Sequence, residues 1–320
     1  MNLKVLVSAP NLIPVTDRFR LALEQAGIEL VIPEVKEHLS EQELLQYAGH
    51  IDAAVCGDDR FSQRVLIAAS PRLRVISKWG TGLDSIDREA AADLGVSVYN
   101  IPDAFTEPVA DSVLAYILAF ARRGPWMDRE LKSGTWTKLP GRALAECTLG
   151  VVGVGKIGKA VLRRAQVFGM RLIGNDTAQI EDSFLAETQV ELQSLNDLLE
   201  QVDFISLNCD LNPSSHHLIN QEAFDRMRPE AVLINTARGP VVDEGALISA
   251  LQSGRILGAA LDVFEEEPLP ADSPLRGMDN VMLAPHNANS SPSAWERVHQ
   301  KTLLNLFHGL ELPPPSDWRD

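Results

Sequence analysis

The chain has 320 residues, 45% of them apolar, and a formal net charge of −15. That length and apolar content suit two domains with full cores. The acidity excludes nucleic acid as a partner, because neutralising phosphates takes clustered Lys and Arg. Cys56, Cys147 and Cys209 stand without C-x-x-C spacing or a His/Cys ligand cluster, so neither a disulfide nor a metal site is expected, and a reducing compartment is implied. The N-terminus enters a strand directly, without a leader pattern. The most apolar helical stretch, 109–121, is too short to span a bilayer and carries Asp111. A cytoplasmic protein with no membrane partner is expected.

In chain order, residues 3–7 predict a strand, 16–26 a helix closed by Gly27, and 28–32 a second strand before Pro33. Ser40, with Glu43 three residues on, forms a capping box for the helix through Tyr47. Residues 53–56, 73–77 and 96–99 predict further strands. Short apolar runs alternating with helical patterns mark a parallel sheet with helices on its faces. This unit, residues 1–100, lacks a dinucleotide fingerprint and is expected to carry the substrate. Its fourth strand runs into Lys78-Trp79-Gly80-Thr81-Gly82-Leu83-Asp84. Two glycines around Thr81 at a parallel strand end leave backbone N–H groups bare where such sheets bind ligands. A carboxylate suits that loop; the plain alternative is an ordinary strand-to-helix turn.

Ile101-Pro102 breaks the pattern and opens a second domain, 101–290. Thr106, Glu107 and Pro108 have the order of an N-cap with proline in the first turn, ahead of a helix to Arg122. Residues 125–132 predict another helix and 133–136 an exposed loop. Trp126 and Trp136 bury against a second subunit in one reading and form a local apolar cluster in the other.

Residues 148–161, TLGVVGVGKIGKAV, are the centre of this domain. A buried strand at 149–152 feeds Gly153, Gly155 and Gly158, and a helix starts at Lys156. Gly153 permits the turn, Gly155 keeps side chains away from a pyrophosphate, and Gly158 lets the helix pack on the strand. The helix N-terminus offers free N–H groups and partial positive charge to phosphates. A second strand, 170–173, leads to Asp176, 18 residues beyond Gly158, close to the roughly 20 expected of the carboxylate that bonds the adenosine ribose hydroxyls. That carboxylate selects NAD over NADP, and Thr177, Ala178 and Gln179 supply no arginine for a 2′-phosphate. Asp176 as a simple turn cap is the alternative.

Strands are predicted at 203–207, 231–235, 256–262 and 281–284, with helices near 220–227 and 243–251. A last helix, 292–310, lies beyond the cofactor sheet and is assigned with the first domain as 291–320. The fold expected is α/β, a Rossmann dinucleotide-binding domain inserted into a smaller flavodoxin-like α/β substrate domain.

Arg238, Glu267 and His286 each stand at a strand end or in the loop after it, where open α/β sheets build their sites. Singly, each has a plain reading: a surface ion pair, one member of an acidic run, a bond to a loop carbonyl. Together they match the oxidation of a 2-hydroxy acid. Arg238 offers a rigid fork of donors to the carboxylate and carbonyl oxygen. His286 takes the hydroxyl proton, and Glu267, on its other nitrogen, holds the tautomer.

The ordered series Gly80-Thr-Gly-Leu-Asp84, the glycine fingerprint with Asp176, Asn235-Thr-Ala-Arg-Gly239 with Val242-Asp243, Leu261-Asp-Val-Phe264 with Glu267-Pro268, and Pro285-His286 resembles the D-isomer-specific 2-hydroxyacid dehydrogenase family. The resemblance implies a catalytic set of Arg238, Glu267 and His286. It implies NAD contacts at Gly153, Gly155, Lys156, Ile157, Gly158, Asp176, Thr236, Ala237, Arg238, Asp262 and His286, with Thr106 and Asn289 added to the cofactor site. Substrate binding falls to Thr81 and Gly82 with Arg238 and His286, and Lys78 is a candidate receiver for a distal phosphate or second carboxylate. A homodimer through the cofactor domain is implied, with a small anionic 2-hydroxy or 2-oxo acid as substrate.

The chain departs from the family pattern at Ser85, at Asn208-Cys-Asp210 and at Asn287-Ala-Asn-Ser290. The last of these touches the substrate or nicotinamide surroundings and leaves the acid's identity open. The substrate expected is phosphoglycerate-like, with glyoxylate or hydroxypyruvate reduction as the alternative. A non-catalytic NAD(H)-sensing protein resembling the C-terminal-binding-protein co-repressors is a reading from another class. Glu267 beside proline argues against a formate-oxidising relative.

Overall fold

The computed structural model describes residues 2–316 and Trp318. The chain folds into two compact units, Met1–Phe105 with Ser291–Asp320 and Thr106–Ser290. Every strand pairing among the described residues is parallel. No helix among them is long and apolar enough to cross a membrane.

Unit 1 contains β1 (Leu3–Val7), β2 (Ile28–Val31), β3 (Ala53–Cys56), β4 (Val75–Lys78) and β5 (Ser97–Tyr99), in the order β2-β1-β3-β4-β5. Strands β3 and β4 are buried along their whole length; β3 reads as a continuous apolar run, as a strand covered on both faces does, while β4 closes on the buried polar residues Ser77 and Lys78. The helix Pro292–Gly309 covers this sheet, and Ser77 Oγ on β4 donates to its Thr302 carbonyl at 2.7 Å. The Ser40–Glu43 capping box is present at the helix Glu41–Leu45. Two further helices, Gln63–Ala69 and Arg88–Asp93, are too short to show a periodic face. Their signals are the caps Ser62, accepting from the Val65 amide, and Asp87, accepting from Ala90. Residues 101–105 stay with unit 1: the Ile101 amide donates to the Gly80 carbonyl at 2.8 Å, and the Phe105 ring lies 5.4 Å from that of Trp79.

Unit 2 contains β6 (Thr148–Val152), β7 (Arg171–Asn175), β8 (Glu191–Leu192), β9 (Phe204–Leu207), β10 (Val232–Asn235), β11 (Gly258–Leu261) and β12 (Val281–Leu283), in the order β12-β11-β10-β9-β6-β7-β8. The order reverses between β6 and β9, the switch point at which a Rossmann sheet binds its dinucleotide. Leu149 and Val151 pack into one core and Val152 into the other, so β6 buries both faces of its pleat. Each such aliphatic side chain contributes roughly 1.5–3 kcal/mol. Strand β8 has two exposed residues, and its brevity hid it from apolar patterning. Trp126 is a local core residue: its indole donates to the Asp279 carbonyl at 2.8 Å and its ring lies 4.8 Å from Phe120. Trp136 is 82% exposed.

Candidate active site

In unit 2 the glycine loop follows β6. Gly153 has φ +90, and a Cβ there would lie 2.6 Å from the Cys209 amide nitrogen, so the loop is pressed onto the chain leaving β9. A Cβ at Gly158 would stand 2.0 Å from the Gly153 carbonyl oxygen; the helix Lys156–Val167 therefore starts directly against the turn. Gly155, by contrast, faces open space. It caps the helix, with Lys156 exposed and Ile157 half-buried behind it.

Asp176 follows β7 and turns back on the loop. Its Oδ2 accepts from the Val154 amide at 2.6 Å and its Oδ1 from Ala178 at 2.7 Å. A carboxylate is thereby fixed at the tip of the phosphate-type turn. Two buried oxygens, Thr236 Oγ1 beyond β10 and Asn208 Oδ1 beyond β9, have no hydrogen-bond partner among the described residues. Buried polar atoms seldom lack a partner. Both follow the carboxyl ends of strands beside the switch point, so an open helix N-terminus, a fixed carboxylate and two unmatched oxygens fit a dinucleotide. Thr106 is the first residue of its helix, Thr106–Arg122, rather than a cap ahead of it.

The Arg238 loop is shaped by Asn235, the buried last residue of β10. Its side chain accepts from the Ala237 amide at 3.0 Å and donates to the Arg238 carbonyl at 2.9 Å. A polar residue closing an otherwise apolar strand was the sequence signal for this brace. Gly239 follows, where a Cβ would stand 1.9 Å from the Phe264 carbonyl carbon. The Arg238 loop thus lies directly on the loop after β11.

That second loop carries Glu267. Its Oε1 accepts from the Phe264 amide at 2.9 Å, and its Oε2 lies 2.8 Å from His286 Nδ1. Both side chains are largely buried, 17% and 20% exposed. With Nδ1 facing a carboxylate, the ring donates from Nδ1, and Nε2 is the nitrogen that exchanges protons in the neutral form.

Asp262, expected as a cofactor contact, also braces the loop that carries His286. It is 1% exposed, its two oxygens accept from the Asn287 and Ala288 amides at 2.8 and 2.9 Å, and its carbonyl accepts from the His286 amide at 2.7 Å. Burial pushes its carboxyl up from the ordinary value, against the pull of those amides and of His286. His286 has φ +50, a conformation that persists in a non-glycine residue only when its surroundings hold it. Asp262 supplies that hold, helped by Ser112 Oγ, which donates to the Ala288 carbonyl at 3.1 Å. Asn287 is exposed and Asn289 half-buried.

In unit 1 the loop after β4 is pinned from both sides. Gly80 has φ +129, Thr81 Oγ1 donates to the Ile101 carbonyl at 2.9 Å, and Asn100 Nδ2 donates to the Thr81 carbonyl at 2.6 Å. The Thr81 and Gly82 amides meet no backbone acceptor among the described residues. Lys78 is placed differently from its expected role: its side chain is 3% exposed and Nζ lies 2.8 Å from Asp58 Oδ1. Burial and this partner take the ammonium out of reach as a simple phosphate receiver.

Residues 114–288 match the family described as D-isomer specific 2-hydroxyacid dehydrogenase, NAD binding domain. A glyoxylate reductase of Thermofilum pendens is 39% identical over 304 residues, 92% of this chain and 89% of that protein. A D-3-phosphoglycerate dehydrogenase of Methanocaldococcus jannaschii is 40% identical over 264 residues, 82% of this chain but 50% of that protein. The crystal structure of an Aquifex aeolicus D-lactate dehydrogenase complexed with NAD and lactic acid superposes with a TM-score of 0.85 at 29% identity, covering 96% of this chain and 95% of that one. Fold, fingerprint and sequence agree that the chain belongs to the D-isomer specific 2-hydroxyacid dehydrogenase family and is an NAD-dependent oxidoreductase interconverting a small D-2-hydroxy acid and its 2-oxo acid.

Proposed function

We propose that the chain reduces a small unphosphorylated 2-oxo acid of the glyoxylate or hydroxypyruvate type, with His286 as the acid that protonates the carbonyl oxygen to give the hydroxyl. The 2.8 Å contact between His286 Nδ1 and Glu267 Oε2 carries this reading, because it leaves Nε2 as the proton-exchanging atom and sets a negative charge behind the imidazolium. NADH, when bound, supplies the hydride. Arg238 orients the substrate through its carboxylate and carbonyl oxygen, and its planar fork polarises the carbonyl. In unit 1 the Thr81 and Gly82 amides take a carboxylate. Gly153, Gly155, Lys156, Ile157 and Gly158 hold the pyrophosphate, Asp176 the ribose, and Thr236, Ala237, Asn289 and Thr106 line the remainder of the cofactor site. Lys78, matched by Asp58, no longer favours a phosphoglycerate-like substrate, and relatives named glyoxylate reductase and hydroxypyruvate reductase support the smaller acids.

The working form is a homodimer built through unit 2, for which the exposed Trp136 and Leu131 give support. The free cysteines, two of them buried, suit the cytoplasm. The test is NADH consumption with glyoxylate, hydroxypyruvate, phosphohydroxypyruvate, pyruvate and 2-oxoglutarate. Turnover of the first two is expected; silence on all five despite NADH binding would replace catalysis with NAD(H) sensing.

A further inference from the structure

We infer that His217 and Glu265 are a positioning pair for proton transfer: the bond between them sets the loop on which Glu267 stands, and with it the aim of Glu267 at His286. This rests on the reading of Glu267 and His286 as the proton-transfer residues.

His217 Nε2 lies 2.7 Å from Glu265 Oε1, the two side chains being 38% and 37% exposed. Facing a carboxylate, that nitrogen is the donor. The same oxygen accepts from the Glu244 amide at 3.3 Å, and Glu265 reciprocates with its own amide, which donates to Glu244 Oε2 at 3.2 Å. Glu265 is thus held from two sides, by His217 and by the first residue of the helix Glu244–Gln252.

The histidine is itself fixed. Its amide donates to the Pro240 carbonyl at 2.8 Å, the Ile219 amide to Val241 at 3.1 Å, and the Asp243 amide to Ile219 at 3.0 Å. Residues 217–219 therefore run parallel to the chain that continues from Arg238. His217 has φ +50, a conformation its surroundings must hold, and the His216 ring stacks on it with centroids 4.1 Å apart.

What Glu265 fastens is the Glu267 loop at its tightest point. A Cβ on Gly239 would stand 2.5 Å from the Glu265 amide nitrogen, so this chain has no slack toward the Arg238 loop. The residue before it, Phe264, donates its amide to Glu267 Oε1 at 2.9 Å, and Glu267 Oε2 lies 2.8 Å from His286 Nδ1. Three bonds, joined by the peptide between Phe264 and Glu265, lead from His217 to His286. A partly exposed ion pair adds little to global stability. It can still decide placement, and a misplacement of about 1 Å costs up to about 10²-fold in rate.

The experiment uses the full chain with hydroxypyruvate and NADH. His217→Phe keeps a flat ring and removes the donor, whereas His217→Gln restores a donor of similar reach; both are non-glycine residues at φ +50 and share its strain. The Phe variant should lose about ten-fold in kcat, with KM and NADH affinity within about two-fold and Tm nearly unchanged. The Gln variant should recover most of the loss. Glu265→Ala approaches the bond from its other end and should be at least as slow as His217→Phe. In a Glu267→Ala chain, where nothing is left to aim, His217→Phe should cost no more. Undiminished kcat in His217→Phe, a Gln variant as slow as the Phe one, or full additivity with Glu267→Ala overturns the inference while leaving 2-oxo acid reduction standing. Full turnover in Glu267→Ala alone, or a wild type inactive on every 2-oxo acid, overturns the functional reading, and this inference with it.

Discussion

Trp79 donates its indole N–H to Nδ1 of His299 at 3.0 Å, tying the chain just ahead of the Thr81 loop to the helix Pro292–Gly309. The two are 6% and 4% exposed. The bond needs an unprotonated Nδ1, so the ring is neutral and carries its proton on Nε2. Burial holds the His299 pKa below the ordinary 6.5, with Arg18 acting in the same direction and Glu296 against it.

A histidine whose folded pKa is depressed contributes stability that is complete above the unfolded value and lost as pH falls below it. Unit 1 should therefore weaken as pH drops below about 6.5, toward the folded value of His299. Urea midpoints at about pH 7.5 and pH 5.5 measure this, with His299→Gln expected to flatten the difference. Equal pH dependence in wild type and variant would remove His299 from the account.

His286→Ala should lower kcat by about 10²- to 10⁴-fold, the usual worth of a positioned acid or base. NADH affinity, read by fluorescence titration, should stay within about two-fold. Glu267→Gln keeps the size of the side chain but removes the charge behind Nδ1, so kcat should fall about ten-fold or more with little change in KM. A variant at either position that retains full turnover would dismiss the pair from proton transfer.

Asp176→Ala removes the carboxylate that opposes a 2′-phosphate and also strips the Val154 amide of its acceptor. NADH should bind more weakly while kcat/KM for NADPH relative to NADH rises about ten-fold or more. Steady-state kinetics with both cofactors decide it; an unchanged ratio means the ribose is read elsewhere.

Asp203, 2% exposed at the start of the β9 segment, accepts from the Thr148 amide at 2.8 Å and from Arg142 at 2.9 Å. Burial raises its carboxyl pKa, but Arg142, the Thr148 amide and Arg228 outweigh it and hold the pKa below the ordinary value. The stabilisation is complete above that ordinary value and fades as pH falls toward the folded one. Asp203→Ala should destabilise by about 1–3 kcal/mol near neutrality, seen as a lower Tm whose deficit shrinks in acid.

The parallel strands were legible because β3 and most of β6 are buried on both faces and so appear as apolar runs. The glycine turn and Asp176 were legible because their spacing reflects geometry within one strand-turn-helix unit. His286 and Glu267 were legible only as polar residues at strand ends; that they meet depends on β11 and β12 lying side by side, which no local pattern states. Lys78 shows the limit most plainly. A lysine beside a carboxylate loop signals an anion site until its neighbour 20 residues earlier, Asp58, is seen at 2.8 Å. Asp262 was expected only as a cofactor contact, and its bonds to residues 25 and 26 positions away were invisible.

Asp262 grips main-chain amides at 287 and 288 and asks nothing of the side chain at 287, which is exposed. The loop's geometry is thereby decoupled from its spelling at that position. The side chain next to the histidine in sequence can therefore change while the backbone bonds that hold the histidine stay as they are.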